Sequence, residues 1–284
     1  MIDDNGALRV HRRAFAQLSA LALSAAAVGG LSTKSVPAGA QAQSSDAFAR
    51  LRDKPIDIGI LIFPDMDQID FTGPFEVLSR LPDTKLHVIG TQSGSFRDHR
   101  GLVLTPDVAL AGAPQLDLLQ VPGGPGQQAQ MANEPVLAFI RRHMAAGKPL
   151  FSVCTGALIC GAAGILKGRR ATTHWASFDL LPYFGAIPVD ERVVIDGNLV
   201  SAAGITSGID GALVVAELLR GKAVAEAIQL DIQYAPEPPF HSGTPKTAPS
   251  SVLSTVTAAY HPLTEARLST ARAVAAKLGI ASPL

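Results

Sequence analysis

Short apolar runs that alternate with helix-like segments constrain this chain more than any other feature. Residues 56–63, 85–90, 117–121 and 149–153 are strand-length stretches dominated by Ile, Leu, Val and Phe, and helix-like segments at 72–81, at 134–146 and from 156 onward fall between them. A strand buried on both faces has no solvent side, so it reads as a continuous apolar run rather than an alternating one. Helices between such strands are the crossovers of a parallel sheet. The expected architecture is an α/β sandwich, a parallel sheet with helices on both faces. Pro74 is expected in the first turn of the 72–81 helix.

The remaining segments fit around that sheet. Residues 93–110 read as a hairpin-like excursion. The segments 187–195 and 199–203, joined by Asp196-Gly197-Asn198, read as a hairpin with a favoured turn dipeptide. Helices are expected at 206–219 and 223–232, separated by Gly221. A Pro-rich arm over 234–249 precedes a final helical stretch to Lys277. That arm is too long for a simple loop and is expected to pack across the surface or a partner.

The N-terminal stretch reads as a targeting signal. Arg12-Arg13 is followed by Phe15, by an Ala-rich apolar run over 18–31, and by Ala40-Gln41-Ala42, the small-x-small form of a signal-peptidase site. The run is broken by Ser19, Ser24, Gly29 and Gly30, which argues against a span needing about 20 apolar residues. The expected organisation is a twin-arginine export signal over 1–42, a linker over 43–54, one main domain over 55–249 and a helical extension over 250–284. The mature protein is then expected in the periplasm. Lys plus Arg and Asp plus Glu balance at 24 each, so charge gives no reason to expect a nucleic-acid partner, whereas a small neutral substrate is compatible.

In an open parallel sheet the ligand site lies beyond the carboxyl ends of the strands. The run Leu150-Phe151-Ser152-Val153 stops at Cys154 and restarts as a helix, a strand-to-helix elbow that puts a thiol over free N–H groups, whose positive end favours thiolate. The alternative is a buried cysteine acting as a small hydrophobe. Cys160, six residues on, points to another helix face and is expected in the core, with no disulfide between the two. Asp70 either caps its helix or faces the thiol as a shared-proton acid. Gly123 and Gly124, in Pro122-Gly123-Gly124-Pro125-Gly126, either satisfy a tight turn or offer N–H donors to a developing negative charge. His174, beside Trp175, is either the base of a Cys-His pair or a hydrogen-bonded structural residue. Phosphate-loop, dinucleotide-fingerprint and HExxH motifs are missing from the sequence, and the other histidines are scattered, so no metal constellation is read from their spacing.

Five motifs in order resemble the ThiJ/PfpI superfamily: Asp70-Phe71-Thr72-Gly73-Pro74, Val121-Pro122-Gly123-Gly124, Ser152-Val153-Cys154-Thr155-Gly156, Ala171-Thr172-Thr173-His174-Trp175, and Gly204-Ile205-Thr206-Ser207-Gly208-Ile209-Asp210. More narrowly, Tyr234-Ala235-Pro236-Glu237-Pro238-Pro239-Phe240 with Gly243-Thr244-Pro245 is similar to the isonitrile hydratase branch. The resemblance implies a flavodoxin-like fold, a homodimer, and hydration of an isocyanide to an N-substituted formamide without metal or organic cofactor. It implies Cys154 as nucleophile, Asp70 as the acid beside it and Thr155 as a further contributor, with His174 at a position near the thiol. Hydrolytic or glyoxalase-like chemistry and a non-catalytic ligand-binding role are the competing readings.

Overall fold

The computed structural model describes residues 47–281. The residues read as the export signal lie outside that range. Seven strands form the main sheet, in the spatial order β10-β11-β7-β6-β1-β2-β5. They are β1 (Ile56–Ile62), β2 (Thr84–Gly90), β5 (Val108–Ala109), β6 (Leu118–Val121), β7 (Leu150–Val153), β10 (Val193–Asp196) and β11 (Leu199–Ala202). All neighbours pair in parallel except β10 with β11, which form the expected hairpin around Gly197-Asn198. The hairpin is shorter than its sequence pattern. Ile187–Pro188 (β9) pairs instead with Arg170–Ala171 (β8) in a separate ribbon. The 93–110 excursion contains β3 (Phe96–Arg97) antiparallel to β4 (Val103–Leu104) before β5 rejoins the main sheet.

The helices are α1 (Gln68–Leu78), α2 (Gln127–Gln130), α3 (Glu134–Ala145), α4 (Gly156–Ala162), α5 (Ser207–Arg220), α6 (Lys222–Asp231) and α7 (Ser250–Leu278), with a 3₁₀ segment at Trp175–Phe184. They cover both faces of the sheet. On one, α5 lies so close that a Cβ at Gly211 would meet Phe151 at 2.7 Å and one at Gly208 would meet Val153 at 2.9 Å. The strand core is essentially dry: Ile58, Ile60, Leu118, Leu119, Leu150, Phe151, Val153, Leu199 and Val200 are all fully buried, as parallel strands covered on both sides must be.

The chain runs from β1 outward to β2 and β5, then returns to β6 and continues outward to β7 and β11. The order therefore reverses between β1 and β6, the point where open α/β sheets leave a crevice at their strand ends.

Both ends of the described chain pack against the domain. Residues 47–54 pack against the domain: Phe48 is 1% and Leu51 6% exposed in the core, and Arg220 donates to the carbonyls of Leu51, Arg52 and Lys54. Hydrophobic residues spaced three apart give this short segment an anchor that polar composition had masked. The 250–284 extension begins as α7, whose second half buries Arg267, Ala271 and Ala275 against the domain.

Candidate active site

Helix α1 starts four residues earlier than its sequence pattern, because Asp67, not Asp70, is the cap: its Oδ1 accepts the Ile69 N–H at 3.0 Å. Pro74 consequently lies inside the helix rather than in its first turn. A proline has no N–H to give the carbonyl four residues back, and here that carbonyl belongs to Asp70. Fully buried Gln120 on β6 fills the vacancy, its Nε2 donating to Asp70 O at 2.9 Å. Sequence thus frees one backbone acceptor and the fold uses it to pin Asp70 to the strand end.

The Asp70 side chain is fully buried. Oδ2 accepts the Gly123 N–H at 3.0 Å, Oδ1 has no hydrogen-bond partner among the described residues, and the Cys154 thiol is close enough to the carboxyl to influence its titration. Burial, with the nearby Asp67 charge, pushes its pKa up to about 8, against the opposing pull of the Gly123 hydrogen bond and the Cys154 thiol. Asp70 is therefore a neutral acid at pH 7.

Cys154 lies between the end of β7 and the start of α4 with φ at +55°, in the left-handed region, where a non-glycine residue costs about 1–3 kcal/mol. Several bonds hold it there. Its N–H is shared between the carbonyls of Ala202 at 3.0 Å and Ala203 at 2.9 Å, and its carbonyl accepts from Thr173 Oγ1 at 2.8 Å. Burial, then Asp70, drives the thiol pKa well above its ordinary value, while the N–H groups of Ile205 and Thr155 and the Arg267 guanidinium draw it back. The resting group is thus a thiol, not the thiolate that a helix N-terminus alone suggests; desolvation outweighs the dipole of a helix only seven residues long.

Gly123 and Gly124 are constrained by contact. A Cβ on Gly123 would sit 2.5 Å from the Thr155 N, and Gly124, at φ +109°, would place one 2.2 Å from the Asp67 N. Their N–H groups are already engaged, Gly123 with Asp70 and Gly124 with Thr155 Oγ1 at 3.0 Å, so they orient the acid and the turn rather than facing a ligand. Thr155 is 1% exposed and its hydroxyl donates back to Gly124 O at 3.3 Å. The glycine loop and the cysteine turn are thereby stitched together.

A cavity of about 390 Å³ opens on this arrangement, lined by Cys154, Thr155, Gly124, His174, Tyr260 and Arg267 among others. That is within the range of small-molecule sites. His174 is 7% exposed; its Nδ1 accepts the Ala176 N–H at 3.3 Å, which leaves the proton on Nε2. Burial, with Arg267, lowers its pKa to about 4. It is a neutral donor at pH 7 and is not paired with the thiol as a base. Trp175 does not line this cavity. It braces the wall, with ring centroids 5.4 Å from His174 and 5.7 Å from Tyr260. Cys160 is fully buried in the core and both cysteines are free.

Sequence patterns missed the wall supplied by α7: Ala259, Tyr260, Leu263 and Arg267. One signal was present. Tyr260, Leu263, Arg267, Ala271 and Ala275 recur at helical spacing, so an arginine occupies the inward stripe.

Residues 57–218 match the DJ-1/PfpI family. The chain is 46% identical to a Pseudomonas putida isonitrile hydratase over 225 residues, 79% of this chain and 99% of that one. It is 27% identical over 182 residues to the Pseudomonas aeruginosa transcriptional regulator GbdR, 61% of this chain and 49% of the regulator. A ThiJ/PfpI family protein from Pseudomonas syringae superposes with a TM-score of 0.74 at 36% identity, covering 76% of this chain and 90% of its own. On these matches and on the sheet that carries Cys154, the chain belongs to the DJ-1/PfpI family.

Proposed function

We propose that this protein hydrates isonitriles to N-substituted formamides, with Cys154 as nucleophile and Asp70 as proton carrier. The observation that carries the reading is a buried thiol that lines the cavity with a buried neutral carboxyl behind it. The 46% identity to isonitrile hydratase supports the same substrate class.

The chemistry follows from two proton-bearing groups. An isocyanide carbon is electrophilic and carries a lone pair, so it needs a nucleophile and a proton at one atom. Cys154 Sγ forms the S–C bond, Asp70 delivers its proton to that carbon, and the thiol proton returns Asp70 to its acid form. The product is an enzyme-bound thioformimidate, R–N=CH–S. Water then adds to the same carbon and the C–S bond breaks, releasing R–NH–CHO and restoring the thiol. Neutral His174, which lines the cavity, is a donor suited to the substrate or the water rather than a base. Thr155 acts by holding the turn and donating its N–H to sulfur. No charged intermediate has to leave the cavity.

The regulator reading is weaker. The match spans 49% of the regulator at 27% identity, against 99% of the hydratase at 46%. A homodimer remains part of the proposal: ordered Phe240 is 76% and Leu230 81% exposed on the arm and the segment before it, and light scattering at the monomer mass would refute it. Export by the twin-arginine route is proposed from Arg12-Arg13 and Ala40-Gln41-Ala42; uncleaved chain in the cytoplasm of the native host would contradict it.

The direct test of activity incubates purified protein with a panel of isocyanides including cyclohexyl isocyanide. Formamide is expected from wild type and not from Cys154→Ala. A panel without turnover would sink the hydratase reading.

A further inference from the structure

Arg267 is 2% exposed, yet no carboxylate among the described residues answers its charge. Nη1 donates to Ser177 Oγ at 3.1 Å and Nη2 to Gly124 O at 3.5 Å, both neutral acceptors, and the buried Nε has no partner among the described residues. Burying a guanidinium without a counter-ion is expensive. A fold tolerates it where something else brings the negative charge.

A second guanidinium lines the same cavity. Arg100 sits on the turn between β3 and β4, which Asp98 shapes by accepting the N–H groups of Arg100 at 2.9 Å and Leu102 at 2.7 Å through Oδ1. The Arg100 side chain makes no ion pair within 4 Å among the described residues. Of the residues lining the cavity only Asp67 carries a carboxylate, and its Oδ1 is spent on capping α1. His174 adds a neutral donor. The cavity thus holds two arginines against one carboxylate, with the thiol at its floor.

We infer that the cavity takes isonitriles bearing a carboxylate, gripped by Arg267 and Arg100 while the isocyanide carbon meets Cys154. This rests on the hydratase reading and names its substrate class. An arginine fork matches the planar oxygens of a carboxylate, and the α7 wall supplies the counter-charge that the sheet side lacks.

The test compares kcat/KM for isocyanoacetate with that for its methyl ester, in wild type and in Arg100→Gln, Arg267→Gln and Arg267→Lys. Wild type is expected to favour the acid by about tenfold or more, and each Gln variant to lower the acid-to-ester ratio by about tenfold. Arg267→Lys retains part of that ratio because it keeps the charge. If Arg267→Gln does not fold, Arg100→Gln, on an exposed turn, carries the test. An ester used as well as the acid by wild type, or a ratio that neither Gln variant moves, overturns the inference. Turnover of neutral isonitriles but not of the acid removes this inference alone; no turnover of either removes the hydratase reading and the inference with it.

Discussion

The cavity has two unlike walls. On the sheet side, Cys154 and Thr155 after β7, with Gly123 after β6 and Asp70 on α1 behind them, are locked by contacts so short that a methyl added at Gly123 collides with backbone. On the helix side, Tyr260, Leu263 and Arg267 project from one helix, α7, beyond the 57–218 region that matches the family. The difference teaches where each kind of constraint lives. Proton chemistry needs groups held within a fraction of an ångström, and the interlocked strand ends and α1 supply that. Substrate fit needs only surface and charge, which a packed helix supplies with few covalent restrictions.

The largest effects are expected on the sheet side. Asp70→Asn removes the proton carrier and is expected to lower kcat/KM by about 10²–10⁴, read from formamide release. The same change separates catalysis from stability. Because the folded carboxyl titrates near 8 rather than near 3.8, wild type loses stability as pH rises from about 4 to about 8, where the unfolded chain ionises and the folded one does not. Asp70→Asn is therefore expected to be the more stable protein at pH 8, by on the order of a few kcal/mol, with the gap closing toward pH 4. Denaturant unfolding at the two pH values checks the sign. Wild-type rates should fall as pH rises through about 8 and show no inflection from His174 between 5 and 7.

Next in size is Gly123→Ala, which forces a methyl against Thr155 N and Oγ1, both at 2.5 Å. It is expected to cost about 2–4 kcal/mol of stability and to lower kcat, since the same glycine holds Asp70. Thermal melting and turnover should fall together. The smallest effect belongs to the other wall. Leu263→Ala is expected to raise KM for bulky isonitriles by about 3–10-fold with little change in kcat. A Leu263→Ala enzyme that loses kcat instead would erase the contrast between the two walls.

Legibility in the sequence followed the same division. Strands buried on both faces announce themselves as apolar runs, and glycines and prolines mark their ends, so the sheet, the cysteine turn and the glycine loop were readable. What Asp70 does was not, because cap and acid share one residue type in one position. The decision rests on Asp67 taking the cap and on Pro74 releasing the Asp70 carbonyl to Gln120, a contact 50 residues away in sequence. The thiolate expectation failed for a related reason: burial is a tertiary quantity, and it outweighed the local helix end. Arg267 was obscured by composition, since its stripe contains only Tyr, Leu and Ala around it, a weak apolar signal that hides an inward-facing charge.

The central claim is that Cys154 and Asp70 act as one unit on an isocyanide carbon. Rapid acid quenching of wild type mixed with cyclohexyl isocyanide, followed by peptide mass spectrometry, tests it most directly. The account predicts a transient adduct with the mass of one intact isocyanide on the Cys154 peptide, decaying as formamide appears, and formed far more slowly in Asp70→Asn. Formamide released with no such adduct, or an adduct whose formation ignores Asp70, would contradict it.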